Sequence, residues 1–422
     1  MFNLKVQNIR NIFNLNFIKY RYLSSATNEH LNKFSQVITN DKSQGASQAM
    51  LYGLGLKEND MRKAQIGIGS TWFESNPCNN HLNILSYMVK DSVGQSKNLI
   101  GFRFNTIGVS DGITMGTRGM NLSLPSRELI SDSYETMNLA HSYDGNIAIP
   151  GCDKNMPGCL MAIIKINRPS YMIYGGSIMP GRYRNKEIDI VDAFQSYGRY
   201  LSGEIDDKER KNIIKNACPG SGACGGMYTA NTMAAAIEAM GMMTPRSSSN
   251  PALSNAKMDE CNNSGNIISK LIKNNITPKQ IITKKALYNA ITTVIALGGS
   301  TNAVLHILAI ANTLGIHLDI EEFNTIGKNV PILVNLKPHG KYLMYHLYKV
   351  GGVPVVMKIL QNMGLLHDEC LTVNGKTIRE NLEFVDLSVI KENPELFTIM
   401  KPESHIRILK GNLAPDSAVA KI

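Results

Sequence analysis

The chain has 422 residues, with 44 Lys and Arg against 34 Asp and Glu, a formal charge of +10, 43% hydrophobic residues and 7% aromatic residues. That length suits two or three domains with a large core, and the dispersed basic residues point to a field that draws anionic substrates, not to a nucleic-acid surface. No stretch approaches the ~18 apolar residues of a membrane span, and seven scattered cysteines, an odd number, do not make a disulfide framework.

From Met1 to about Asn28 the chain is basic and amphipathic, with Lys5, Arg10, Lys19 and Arg21 and no acid before Glu29. This is the profile of an organelle transit peptide, and the lack of an uninterrupted apolar h-region favours a mitochondrial address over a secretory one. Residues 29–42 then read as a linker. Ala46, Ala49, Met50, Leu51 and Leu54 predict a helix that Gly53 and Gly55 break. A strand at Gln65–Gly69 leads into Pro77-Cys78-Asn79-Asn80-His81 and a helix from Leu82. Cys78 beside a helix start is either a metal or cluster ligand with a lowered pKa or a buried thiol; the residues alone leave both open.

A second strand is predicted over Phe102–Val109, ending in Ser110-Asp111-Gly112. An acid at the carboxyl end of a strand in an open α/β sheet faces the ligand crevice, although Asp-Gly is also a common turn. A helix from about Ser126 to His141 and a strand at Ile147–Ile149 follow. They deliver Gly151-Cys152-Asp153-Lys154-Asn155-Met156-Pro157-Gly158. Three consecutive positions there hold a soft thiolate, a hard carboxylate and an amine. Sulfur suits iron–sulfur iron and oxygen suits magnesium. The alternation of strands and helices implies an α/β fold with an open, mainly parallel sheet.

A strand at Tyr171–Tyr174 and a helix over Asp189–Leu201 precede Cys218-Pro219-Gly220-Ser221-Gly222-Ala223-Cys224-Gly225-Gly226. Four glycines there let backbone wrap a bulky group, and the Lys-[Ser/Thr] of a phosphate loop is missing. Cys224 is the candidate ligand, whereas Cys218 is expected to pack. Cys159, Cys261 and Cys370 read as core. A helix over Ala234–Met243 reads as core. Gly298-Gly299-Ser300-Thr301-Asn302 starts another helix, either anion-receptive or simply well capped, and His306 on it is expected to be structural. From Cys370 onward short alternating runs suggest the start of a β-rich domain, which stops at Ile422 in mid-pattern and reads as truncated.

Together, Pro77-Cys78-Asn79, Asp111 to Gly116, Ser123 to Ile130, Cys152 to Gly158, Gly222 to Met233 and Leu297 to Ala303 resemble the dihydroxy-acid and aldonic-acid dehydratase family, from about Ser43 to the end. The resemblance implies Cys78, Cys152 and Cys224 as ligands of a [2Fe–2S] cluster, or a [4Fe–4S] cluster. It implies Asp111, Asp153 and Lys154 (as its CO2 carbamate) as Mg2+ ligands, which requires the lysine pKa to be depressed. It further implies an α/β/α domain over 43–370 and the start of a truncated, barrel-like β-rich domain over 371–422. The implied activity is a hydro-lyase acting on 2,3-dihydroxy-3-methyl carboxylic acids in valine and isoleucine biosynthesis. An aldonic-acid dehydratase is the alternative, and a non-catalytic iron–sulfur redox protein a more distant one. The implied partners are a small-molecule substrate and a second copy in a homodimer, in the mitochondrial matrix. The family's serine base and last glutamate ligand are expected beyond Ile422, and Ser417 stands in the wrong context for that base.

Overall fold

A computed structural model describes residues 31–422, which form one compact unit; the leader expected over residues 1–28 lies outside them. The sheet follows from the four apolar runs. β1 (Ala64–Ser70), β2 (Leu99–Asn105), β3 (Gly145–Ile149) and β4 (Ser170–Met172) are all parallel, in the order β2-β1-β3-β4. β1 and β3 are buried at every position, as expected where helices cover both faces. The crossover helices are Leu82–Gly94, Ser123–Ala140 and Asn155–Ile166. Gly67 and Gly69 leave β1 without side chains where rings press on it; a Cβ at Gly67 would stand 2.5 Å from Tyr143 Cδ2.

The strand order sets the place for chemistry. From central β1 the chain moves outward to β2, then returns to the other side of β1 as β3. The carboxyl ends of β1 and β3 therefore flank the point where the winding reverses, the crevice in which open α/β sheets bind ligands. The loop after β1 carries Cys78, and the loop after β3 carries Cys152, Asp153 and Lys154.

Residues 31–42, expected as a connecting segment, are tied to this sheet through Asp144. Its carboxylate accepts from Phe34 N at 2.6 Å, Ser35 N at 3.0 Å, Ser35 Oγ at 2.6 Å and Gln65 N at 2.8 Å. Three backbone amides thus find a buried acceptor, and the segment is clamped to the start of β1.

Several predicted elements have different bounds. The second strand stops at Asn105, and Asp111 opens a short helix, Asp111–Thr114, six residues farther on. The helix predicted over Ala234–Met243 runs from Thr229 to Ala239 and is buried throughout. The helix after the Gly298-Gly299 turn begins at Asn302. In the last fifty residues, helical turns at Ile378–Leu382 and Ser388–Glu392 precede an antiparallel hairpin, β7 (Ile406–Gly411) and β8 (Ala414–Lys421); an earlier small hairpin pairs β5 (Gly181–Tyr183) with β6 (Lys186–Ile188). No barrel forms among the described residues. Among these residues, too, no helix is long and apolar enough to cross a membrane.

Candidate functional site

Four loops are knitted together at the carboxyl edge of the sheet by their own backbones. Gly222 N donates to Pro77 O at 2.8 Å, Gly175 N to Pro150 O at 2.9 Å, and Ala223 N to Gly176 O at 2.9 Å. Asn155 joins two of them from the side: its Oδ1 accepts at 3.0 Å from Cys152 N, Thr71 Oγ1 and Asn79 Nδ2. The loops that carry Cys78, Cys152 and Cys224 cannot drift apart without breaking these bonds.

The three sulfurs meet. The Cys78 thiol hydrogen-bonds to Cys152 first and Cys224 second, and with burial these bonds raise its pKa well above the ordinary value. The expected lowering at a helix start does not occur, because Cys78 lies four residues before the helix and faces two other sulfurs instead of helix amides. The same contact with Cys78 holds Cys224 below its ordinary value. For Cys152 the bond with Cys78 works downward, but burial and the neighbouring Asp153 charge outweigh it and raise the pKa.

Beside the sulfurs lies an oxygen-rich group. Lys154 Nζ is 2.7 Å from Asp111 Oδ2 and 3.5 Å from Asp153 Oδ2, and Ser123 Oγ donates to Asp111. Burial pushes Asp153 up to about 6, helped by the Asp111 charge. Burial also works to raise Asp111, yet hydrogen bonds from Asp153, Lys154 and Ser123 bring it below the usual carboxylate range. Lys154 departs from expectation. Burial favours the free amine, but the charges of Asp153 and Asp111 outweigh it, so its pKa is raised and it stands here as an ion-paired ammonium.

The three cysteines and the two aspartates line a cavity of about 560 Å³. Besides them, Ile190, Val191 and Phe194 of the helix Ile190–Leu201 supply apolar lining. Ser300, Thr301 and Asn302 also reach the cavity; Asn302 Nδ2 donates to Thr229 Oγ1 at 2.8 Å. Sequence reasoning missed the apolar wall, whose helix reads as an ordinary amphipathic segment, and Lys421 of β8, which no motif marks. Cys218 is a correction: it is exposed and lines the cavity instead of packing, because it ends the helix Asp207–Ala217 on the open side of the glycine turn. Cys159, Cys261 and Cys370 are buried, as expected.

Among the described residues no group of three or more His, Cys, Asp or Glu side chains is gathered around a single-ion position. The oxygen group has two carboxylates and a lysine, and the lysine is not one of those four residue types.

His306 is fully buried beside Arg127, whose guanidinium stands 3.3 Å from Nδ1. Burial, then Arg127 and Lys154, push its pKa down to about 3 from 6.5. A histidine kept neutral by the fold contributes stability that is complete above 6.5 and is lost as pH falls toward about 3, because only the unfolded chain takes up the proton. Urea titrations from pH 7 to pH 4.5 are expected to show stability falling on the acid side, by up to about 1.4 kcal/mol per pH unit from this group. His405, held down to about 4 by burial, adds to the same slope. His306→Gln should therefore reduce the slope without removing it, and an equal slope in the two proteins would contradict the assignment.

Residues 63–381 match the family model described as dihydroxy-acid/6-phosphogluconate dehydratase N-terminal. Over 399 residues the chain is 57% identical to a dihydroxy-acid dehydratase of Francisella tularensis subsp. novicida, a match covering 93% of this chain and 70% of the relative. Over 396 residues it is 54% identical to the protein of Arabidopsis thaliana named dihydroxy-acid dehydratase, chloroplastic (93% and 65% covered). Over 416 residues it is 53% identical to a dihydroxy-acid dehydratase of Penicillium brasilianum named as mitochondrial (97% and 68%).

Proposed function

The chain belongs to the dihydroxy-acid/6-phosphogluconate dehydratase family, and from that membership we propose that it is a hydro-lyase of valine and isoleucine biosynthesis. It removes water from a 2,3-dihydroxy-3-methyl carboxylic acid: the C2 proton and the C3 hydroxyl leave, and the resulting enol tautomerises to the 2-keto acid. The observation that carries this reading is the meeting of three sulfurs and two carboxylates, one of them ion-paired to Lys154, in the lining of a cavity that also has apolar side chains from one helix. An apolar wall suits the alkyl end of a branched acid and gives no partners to the hydroxyls of a sugar acid.

The donor set fits the cofactors of this reading. Cys78, Cys152 and Cys224 offer soft ligands in mutual contact and would hold an iron–sulfur cluster, which we take as [2Fe–2S]. Asp111 and Asp153 offer hard oxygens and would hold Mg2+, with Lys154 joining them as its carbamate. When bound, the cluster and the magnesium ion supply Lewis acidity and an electrostatic anchor for substrate oxygens.

The chain's own residues do the rest. Ile190, Val191 and Phe194 exclude water from the alkyl end, and Ser300 and Asn302 present polar groups to the substrate's carboxylate end. Ser123 fixes the rotamer of Asp111 through its hydroxyl. Burial favours the neutral Lys154 amine that a carbamate requires, and the two carboxylates that now raise its pKa would do so less if they held a divalent cation. The exposed apolar side chains Ile113, Met115 and Leu122 near the cavity support a homodimer as the working form. The basic leader, with the Penicillium relative's name, supports the mitochondrial matrix.

Anaerobically purified protein should contain iron, sulfide and magnesium, and should convert 2,3-dihydroxy-3-methylbutanoate to its 2-keto acid in preference to an aldonic acid such as gluconate. Preferential turnover of the sugar acid, or full activity without iron, would overturn the reading.

A further inference from the structure

The turn that carries Cys224 has its carbonyls and its amides on very different terms. The carbonyls of Cys224 and Gly226 both accept from Asn231 Nδ2, at 2.8 and 2.7 Å, and the carbonyl of Gly225 accepts from Met344 N at 2.7 Å. Asn231 is itself held: the Tyr174 hydroxyl donates to its Oδ1 at 2.8 Å, and both side chains are fully buried. This orientation of the asparagine amide is the one the partners demand, since the reverse would set its oxygen against two carbonyls.

The amides on either side of the turn are satisfied: Gly222 N by Pro77 O, Ala223 N by Gly176 O, and Met227 N by Lys337 O. Between them, Gly225 N and Gly226 N have no acceptor among the described residues, although both glycines are buried. Buried amides without an acceptor are rare, because nothing compensates their desolvation. Gly225 lines the cavity next to Cys224. Two unused donors therefore follow Cys224 directly in the turn that brings its sulfur to those of Cys78 and Cys152.

We propose that Asn231, braced by Tyr174, is a positioning residue that holds the peptides on either side of the Gly225 carbonyl, itself held by Met344 N, so that the Gly225 and Gly226 N–H groups donate to the sulfurs of a cluster held on Cys224. The proposal rests on the iron–sulfur reading given above. Donation of N–H groups to cluster sulfur stabilises the reduced, more negative form and so raises the midpoint potential. Releasing the clamp lets the peptides rotate, which removes these donors and loosens a half-buried thiol.

The test uses Asn231→Ala and the gentler Tyr174→Phe, each with its thermal midpoint recorded. In anaerobically purified protein both should keep iron and show a lowered midpoint potential, with the larger shift in Asn231→Ala. In iron-free, reduced protein, digestion after a brief iodoacetamide pulse should show alkylation of Cys224, relative to exposed Cys218, rising severalfold in Asn231→Ala and less in Tyr174→Phe. An unchanged potential at full iron content would overturn the proposal, as would an unchanged alkylation ratio. Wild-type protein lacking iron and sulfide would overturn the cofactor reading, and with it the donor role of the two amides. The alkylation ratio would still report whether Asn231 holds the turn.

Discussion

Cys152→Ser is expected to purify as a folded protein that has lost nearly all of its iron and its turnover. Serine matches cysteine in shape, but its hydroxyl stays protonated at neutral pH and its oxygen is a hard donor, so it does not replace a thiolate on iron. The fold around it should survive. The backbone N–H of residue 152 still donates to Asn155 Oδ1 at 3.0 Å, and the loop remains bound to its neighbours through Pro150 and Gly175. A stability cost of about 1 kcal/mol is expected for a buried hydroxyl in place of a thiol. Iron and sulfide assays beside a urea titration check this. A variant with wild-type iron content would remove Cys152 from the ligand set.

Gly151→Ala should be as damaging by a different route. A methyl group at this position would overlap the carbonyl oxygen of Cys78, lie 3.0 Å from its carbonyl carbon and touch Leu82 Cδ1 at 3.1 Å. Backbone atoms of a knitted loop cannot swing aside as a side-chain tip can, so the two cysteine loops must separate. A loss of about 2–4 kcal/mol is expected, with the iron site lost at the same time. Gly112→Ala is the matched control: its nearest neighbour would be Ser110 Oγ at 4.0 Å, and it should change stability by less than about 0.5 kcal/mol. Equal stability of the two variants, measured by urea denaturation, would refute the argument from close approach.

Much of this was legible in the chain because the signals are local. The apolar runs that became β1 and β3, the helix from Leu82, and the glycine-flanked Cys152-Asp153-Lys154 triplet each need only neighbouring residues to be recognised. Asp111 was singled out for a partly mistaken reason. It is not at the end of a strand but opens a short helix beyond it, and Ser123, twelve residues on, orients its carboxylate. The apolar wall from Ile190 to Phe194 was not legible, since an amphipathic helix looks the same whether its partner is a core or a cavity. Lys421 and Cys218 were missed for a related reason: their place at the cavity depends on how distant loops stack.

The sequence by itself determined which donors this protein has. Thiol, carboxylate and amine have fixed softness, and short motifs place them beside glycines and prolines that make turns. The tertiary structure alone decided that those donors meet, since only the order β2-β1-β3-β4 sets the loops after β1 and β3 side by side and docks the Cys224 turn onto Pro77 and Gly176. It also decided their charge. Lys154 is an ammonium here and not a free amine because two carboxylates from separate loops lie against it, and an electrostatic field depends on distances in space that no spacing along the chain contains.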